Sequence, residues 1–191
     1  MAGPGTRLVL VRHGESEANV ADFINDDPSR PVHLTARGVE QARAAACNFA
    51  AWPFARAFAS EFPRAIETAR ILLAGHGCPL QIDARLNERR SGMDGLPTAT
   101  FNDFVAEDPV HATPPGGESF VDAIERLRAF LDAQRACGDA WVLAVSHENP
   151  ILAALAVAGV PAEVAVRRKL ANCAALILVA EGAGWRVLDG G

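Results

Sequence analysis

The chain lacks any apolar run of the roughly 18 residues that a membrane-crossing helix needs. The apolar stretch at 151–160 is too short to span a bilayer and reads as a buried helix. Nor is there a surplus of positive charge. The formal net charge is −5, so no basic stripe is available to neutralise a nucleic-acid backbone. Cysteine is sparse: Cys47, Cys78, Cys137 and Cys173 lie far apart, with no C-x-x-C pair. That spacing argues against a zinc site or a disulfide framework and fits structural thiols in a reducing cytosol. A run of only four apolar residues, 8–11, leads into Arg12, too few for the hydrophobic region of a secretion signal. The expected location is the cytoplasm. Repeats, low-complexity linkers and heptads are missing as well.

What is present is ordinary in bulk. Half of the 191 residues are hydrophobic and 21% are charged, which suits one globular domain over residues 1–191. An acidic protein still binds an anion when its arginines converge in one cleft.

Leu8-Val9-Leu10-Val11 runs straight into Arg12-His13-Gly14. A continuous apolar run reads as a strand buried on both faces, the habit of parallel sheets, whose ligands bind beyond the carboxyl ends of the strands. Arg12 and His13 would emerge there, and Gly14 would allow a sharp turn or a close approach to a ligand. After a polar loop at 25–31, Thr35 can cap an alanine-rich helix over 38–49. A short strand at 55–59 precedes a helix opened by Pro63 and stopped at Gly75, then a strand at 81–82. Residues 89–117 read as a long irregular insertion with one helix over 98–107, and such insertions are often functional. Ser119 can cap a helix over 120–136, which sets Phe120, Ile124, Leu127 and Leu131 on one face. A buried strand at 141–146 ends at His147, and an apolar helix follows over 151–158. A strand at 174–180 and a hairpin partner at 185–188 close the chain. Strands alternating with helices mean an α/β fold with a mostly parallel sheet and helices on both faces.

Taken alone, His13 is either a nucleophile or a strand-end histidine that satisfies backbone groups. A neutral imidazole can attack phosphorus if its other ring nitrogen donates to a fixed acceptor. Arg12, if not a surface residue, would grip phosphate through its charged fork. Arg12-His13-Gly14-Glu15, with Asn19, resembles the signature of the histidine phosphatase superfamily, which includes the phosphoglycerate mutases. Four further segments match in order. Ser60-Glu61-Phe62-Pro63-Arg64-Ala65-Ile66-Glu67-Thr68-Ala69 is similar to the family's S-x-x-x-R-A-x-x-T-A stretch. Leu86-Asn87-Glu88 resembles its L-x-E, Pro114-Pro115-Gly116-Gly117-Glu118-Ser119 its P-x-G-G-E-S, and Val145-Ser146-His147 its second histidine segment.

The resemblance implies a three-layer α/β/α sandwich of phosphoglycerate mutase type that uses neither metal nor organic cofactor. It makes His13 the nucleophile, and Arg12 and Arg64 the clamps on the phosphate. Glu88 becomes the proton donor to the leaving oxygen, and His147 a donor to the moving phosphoryl group. Asn19 and Glu118 are implied substrate contacts, each with a rival role at a helix start. The implied activity is a phosphoric monoester hydrolase of histidine acid phosphatase type, acting on a small phosphorylated metabolite through a phosphohistidine. The alternatives are a mutase, which relatives usually achieve with longer chains, and a binding domain that keeps the pocket. The expected partner is that metabolite, with neither nucleic acid nor membrane; oligomeric state is open.

Two departures from the family stand out. Gly92-Met93-Asp94-Gly95 replaces a stretch that carries Trp-Glu in relatives, and Glu148 follows His147 where relatives usually have glycine. The added carboxylate would either raise the pKa of His147 or repel substrate. Asp22, Asp26 and Asp27 would repel highly charged substrates if they face the pocket. His33, His76 and His111 are expected at the surface. Arg167-Arg168-Lys169 reads as a solvated patch or a second phosphate contact.

Overall fold

Leu8, Val9, Leu10 and Val11 are all shielded from solvent, and they serve two different cores. Leu8 and Leu10 join one apolar cluster, Val9 and Val11 the other, as the two-residue period of a strand requires. The computed structural model describes residues 5–138 and 141–188. The first four residues, part of the stretch read for a secretion signal, lie outside the described residues.

The strand β1 (Arg7–Arg12) is followed by α1 (Glu17–Ala21), α2 (Ala36–Phe49), β2 (Arg56–Ala59), α3 (Pro63–Leu72) and β3 (Leu80–Ile82). Then come α4 (Thr98–Phe104), α5 (Phe120–Cys137), β4 (Trp141–Ser146), α6 (Glu148–Val157) and α7 (Ala162–Ala165). The hairpin β5 (Ala175–Glu181) and β6 (Gly184–Leu188) ends the described chain. The sheet order is β3-β2-β4-β1-β5-β6. The first four strands in that order run parallel, whereas β5 and β6 are antiparallel, so the sheet is mixed.

One face of the sheet packs Leu8, Leu10, Val142 and Ala144 against α5 and α6 through Phe120, Leu127, Phe130 and Ile151. The other packs Val9, Val11, Leu143 and Val145 against α2 and α3 through Phe49, Ala65, Ala69 and Leu72. Each buried aliphatic side chain of this kind contributes about 1.5–3 kcal/mol. The result is three layers, and the parallel strands deliver their carboxyl ends to a single edge.

The structure adjusts several sequence-based boundaries. The fourth helix ends at Phe104, where Val105 caps it, instead of running to 107. The third stops at Leu72, three residues before the left-handed Gly75. Helices α1 and α7 are too short to show a 3.6-residue period and escape a periodicity reading. Among the described residues no helix is long and apolar enough to cross a membrane.

Candidate active site

The ends of the four parallel strands meet beside one cavity of about 300 Å³, which β4 reaches through Glu148. Strand β1 supplies Arg12 and His13, β2 leads into Arg64, the short 3₁₀ turn after β3 leads to Glu88, and β4 ends at His147. The turn after β1 is fixed from several sides. His13 N–H donates to Ser146 O at 3.0 Å, and Gly14 N–H donates to Thr68 Oγ1 at 3.1 Å. A Cβ on Gly14 would lie 2.5 Å from the carbonyl oxygen of Gly38. The close approach at Gly14 is to the first turn of α2. Glu15 completes the joint: its amide donates to Gln41 Oε1 at 2.8 Å, and its carboxylate accepts from Thr35 Oγ1 at 2.8 Å.

His13 Nδ1 lies 2.7 Å from the carbonyl oxygen of its own neighbour Gly14, so Nδ1 carries the proton. Nε2 then holds a lone pair, and Arg64 Nε–H donates to it at 3.1 Å. Burial and the nearby Arg64 cation hold the pKa of His13 well below 6.5, so the ring is neutral near pH 7. This is the protonation pattern expected of a nucleophile.

His147 is fully buried beneath Arg64 and does not line the cavity. Its Nδ1 is 3.1 Å from Arg64 Nη2, a donor, so Nε2–H donates to Ser60 Oγ at 2.8 Å. Burial and Arg64 push its pKa well below 6.5. Glu148 does not raise it. The Glu148 carboxylate turns to the other wall, where Oε1 accepts from Leu170 N–H at 2.9 Å and lies 3.6 Å from Arg12 Nη1. The expectation that Glu148 would keep His147 cationic is thus overturned.

Arg64 is held at the centre. Besides the two histidines, it donates through Nη1 to Asn25 Oδ1 and through Nη2 to Asn25 O at 3.1 Å, and it stacks on Phe62. Burial lowers its pKa to about 10, which leaves it charged near neutrality. Arg12 donates through Nη1 to Leu170 O, while its buried Nε has no partner among the described residues.

Glu88 is half-buried on the cavity wall. Burial raises its pKa against the opposing pull of the Arg89 amide and Arg64, and Glu148 adds to the rise. A raised carboxyl is what a proton donor needs. The guanidinium of Arg89 does not pair with it. That group donates instead to the carbonyls of Glu118, Pro109 and Ala112.

Two implied substrate contacts have other work. Asn19 lines the cavity, but its Oδ1 accepts from Ser16 N–H and Oγ–H, both at 3.1 Å, in a capping box at the start of α1. Glu118 lies outside this cavity. Its carboxylate takes Arg126 Nη2 at 2.5 Å, and Arg126 Nη1 donates to the carbonyls of Arg85 at 2.6 Å and Asn87 at 2.9 Å. Glu118 thus braces the segment that carries Glu88. Of the other candidates, His33 and His111 are exposed and paired with Glu67 and Asp108. His76 departs from expectation, half-buried with its ring 5.3 Å from that of Phe54. Lys169 reaches the cavity rim, and Arg167 and Arg168 are exposed. The four cysteines are free thiols, with Cys173 pushed up to about 11 by burial.

The mouth is built from two distant loops. Gly95 N–H donates to Ile24 O at 2.7 Å and Ile24 N–H to Leu96 O at 2.8 Å. The Asp26 carboxylate accepts from the amides of Ser91 and Gly92 and from Ser91 Oγ, and Asp94 accepts from the Asp26 amide and pairs with Arg30. Asp22 and Asp27 do not line the cavity; they bind Thr98 and cap Ser29. Asn25, Ser60, Thr68 and Arg126 all serve the site without having been singled out in the sequence. Ser60 and Thr68 lie inside a matched segment and were within reach. Asn25 and Arg126 carry no local signal, because their partners are 39 and 41 residues away.

The family model of the histidine phosphatase superfamily (branch 1) matches residues 8–190. The adenosylcobalamin/alpha-ribazole phosphatase of Salmonella typhimurium is 36% identical over 154 residues, 75% of this chain and 74% of that protein. A 2,3-bisphosphoglycerate-dependent phosphoglycerate mutase from Bradyrhizobium is 33% identical over 174 residues, 78% of this chain and 79% of that one. The crystal structure of the alpha-ribazole phosphatase from Shigella flexneri superposes with a TM-score of 0.83 at 26% identity, covering 96% of this chain and 95% of that one. With its two buried histidines bridged by Arg64 at the carboxyl edge of the sheet, the chain belongs to the histidine phosphatase superfamily.

Proposed function

We propose that the chain is a phosphomonoesterase of histidine acid phosphatase type, acting as one domain in the cytoplasm on a small phosphorylated metabolite. The observation that carries this reading is the fixed lone pair on His13 Nε2, beside Arg64 and in the same cavity as Glu88. The phosphate enters over His13, and Arg12 and Arg64 neutralise its oxygens. Nε2 attacks phosphorus in line while the P–O ester bond breaks, and Glu88 gives its proton to the departing alcohol oxygen. The carboxylate of Glu88 then takes a proton from water, whose oxygen attacks the phosphohistidine and releases inorganic phosphate. His147 shares Arg64 with His13 and supports the charge from below.

The names of the relatives suggest α-ribazole phosphate as the first ester to try, in a panel that includes 3-phosphoglycerate. The test compares wild type with His13→Ala, following inorganic phosphate and isomer formation together. Phosphate release by wild type alone supports the hydrolase. Isomerisation with little phosphate favours the mutase, and no turnover on any ester sinks both.

A further inference from the structure

We propose that Glu148 is a specificity-determining residue, whose carboxylate on the wall of the phosphate cavity excludes esters with a second negative charge on the alcohol. The inference deepens the phosphatase reading and rests on it. The side chain is fixed by the Leu170 amide at 2.9 Å and keeps 20% exposure, toward a cavity that it lines. Near the surface of a protein, like charges a few ångströms apart repel far more strongly than in bulk water.

The supply of cations decides the outcome. A phosphate dianion engages Arg12 and Arg64, and Arg12 is already shared with Glu148 at 3.6 Å. Arg89 is bound to three backbone carbonyls. Lys169 is exposed at the rim, where solvent and salt screen it. Any further anion on the substrate would meet Glu148 with only this screened lysine to offset it. Asp26 also lines the cavity, its carboxylate turned to the amides and hydroxyl of Ser91 and Gly92, and its charge adds to the repulsion in both variants. Much of the remaining wall is uncharged, with Phe23, Ile24, Thr98, Phe101 and Asn102. That surface suits an alcohol without charge.

Glycerol 3-phosphate and 3-phosphoglycerate make a fair comparison, since they differ chiefly in a hydroxymethyl group against a carboxylate. Their dissociation constants are measured by calorimetry in a His13→Ala background, which stops turnover, with and without Glu148→Gln. The glutamine keeps an acceptor for Leu170 N–H and removes only the charge, and a thermal melt checks that the fold is intact. With Glu148 present, glycerol 3-phosphate binds at least tenfold tighter; with glutamine, the ratio falls below about threefold, mainly through a gain by 3-phosphoglycerate. A ratio near one with Glu148 present, a ratio that Glu148→Gln leaves in place, or binding of neither ester overturns the assignment. Because binding is read without chemistry, a failure here is separate from a failure of the phosphatase reading, which the turnover panel reports.

Discussion

Arg64 donates its Nε–H to Nε2 of His13 at 3.1 Å, so the lone pair that would attack phosphorus is held by the arginine. The same guanidinium reaches His147 through Nη2 at 3.1 Å. An arriving phosphate offers Arg64 better acceptors than a neutral ring, and accepting them frees the nucleophile. On the proposed mechanism, substrate binding and nucleophile release would be one event.

Arg64→Ala should therefore lower kcat/KM by about 10²–10³, the scale for losing one preorganised donor to a charged transition state. Arg64→Lys should recover little, because an ammonium lacks the planar fork that spans both histidines. Loss of the cation should also raise the pKa of His13, since Arg64 is one of the causes that lower it. Steady-state kinetics and an NMR titration of the His13 ring check both points; full activity in the lysine variant would discard the bridging role.

Glu88→Gln removes the proposed proton donor, and the loss should depend on the leaving group. For an alkyl phosphate the fall should be about 10²–10⁴, the usual range for general acid catalysis. For p-nitrophenyl phosphate, whose leaving oxygen needs little help, it should be far smaller while the first step limits the rate. Equal losses on the two esters would show that Glu88 does something else. Wild-type activity should fall at high pH as Glu88 loses its proton. That limb should move to lower pH in Glu148→Gln, since Glu148 adds to the raised pKa.

Folding stability should drop as the medium is acidified. His13 and His147 are held neutral by burial, with pKa values below the 6.5 of the unfolded chain. Between those values the unfolded state binds more protons, so stability is intact above about pH 6.5 and is lost on the way down. Each ring contributes a slope of at most about 1.4 kcal/mol per pH unit. Glu88 acts in the opposite sense, because its raised pKa favours the folded state at low pH. Urea unfolding at pH 7.5 and 5.5 reads the balance, and His147→Asn should flatten the difference.

Glu118→Gln weakens the Arg126 clamp, and a buried group left without its partner costs about 1–3 kcal/mol. The variant should also lose turnover, because Arg126 holds the carbonyls of Arg85 and Asn87 just before Glu88. Arg126→Ala should do the same, and the double variant should lose less than the sum of the two single changes. Additive losses in kcat would mean that the pair does not act together on Glu88.

The sequence made the core and the strand-end residues readable for a physical reason: both depend on local pattern. Arg7–Arg12 and Trp141–Ser146 each form a strand announced by its apolar run, and the residue after each is a buried histidine. Arg64 was equally legible, since Pro63 opens its helix. The second-layer contacts were not, because they depend on chain crossings. Asn19 takes the helix-start role that was its alternative in the sequence, whereas Glu118 holds Arg126, whose carbonyl partners Arg85 and Asn87 lie 41 and 39 residues back. Glu148 shows the same limit. Its neighbour in sequence is His147, while its neighbours in space are Arg12 and Leu170.

The two-loop mouth separates what the protein does from what it does it to. His13 and His147 follow buried strands and Arg64 opens α3, elements whose burial holds the molecule together, so changes there risk both chemistry and folding. The Ile24–Leu96 and Asp26–Ser91 ties lie outside the sheet and use mainly main-chain donors. Cavity-facing side chains on these loops and on the adjoining α4, such as Phe23 or Phe101, can be exchanged without disturbing the clasp. Inheritance can therefore rewrite the clientele of this cavity one loop residue at a time, while the reaction passes down unaltered.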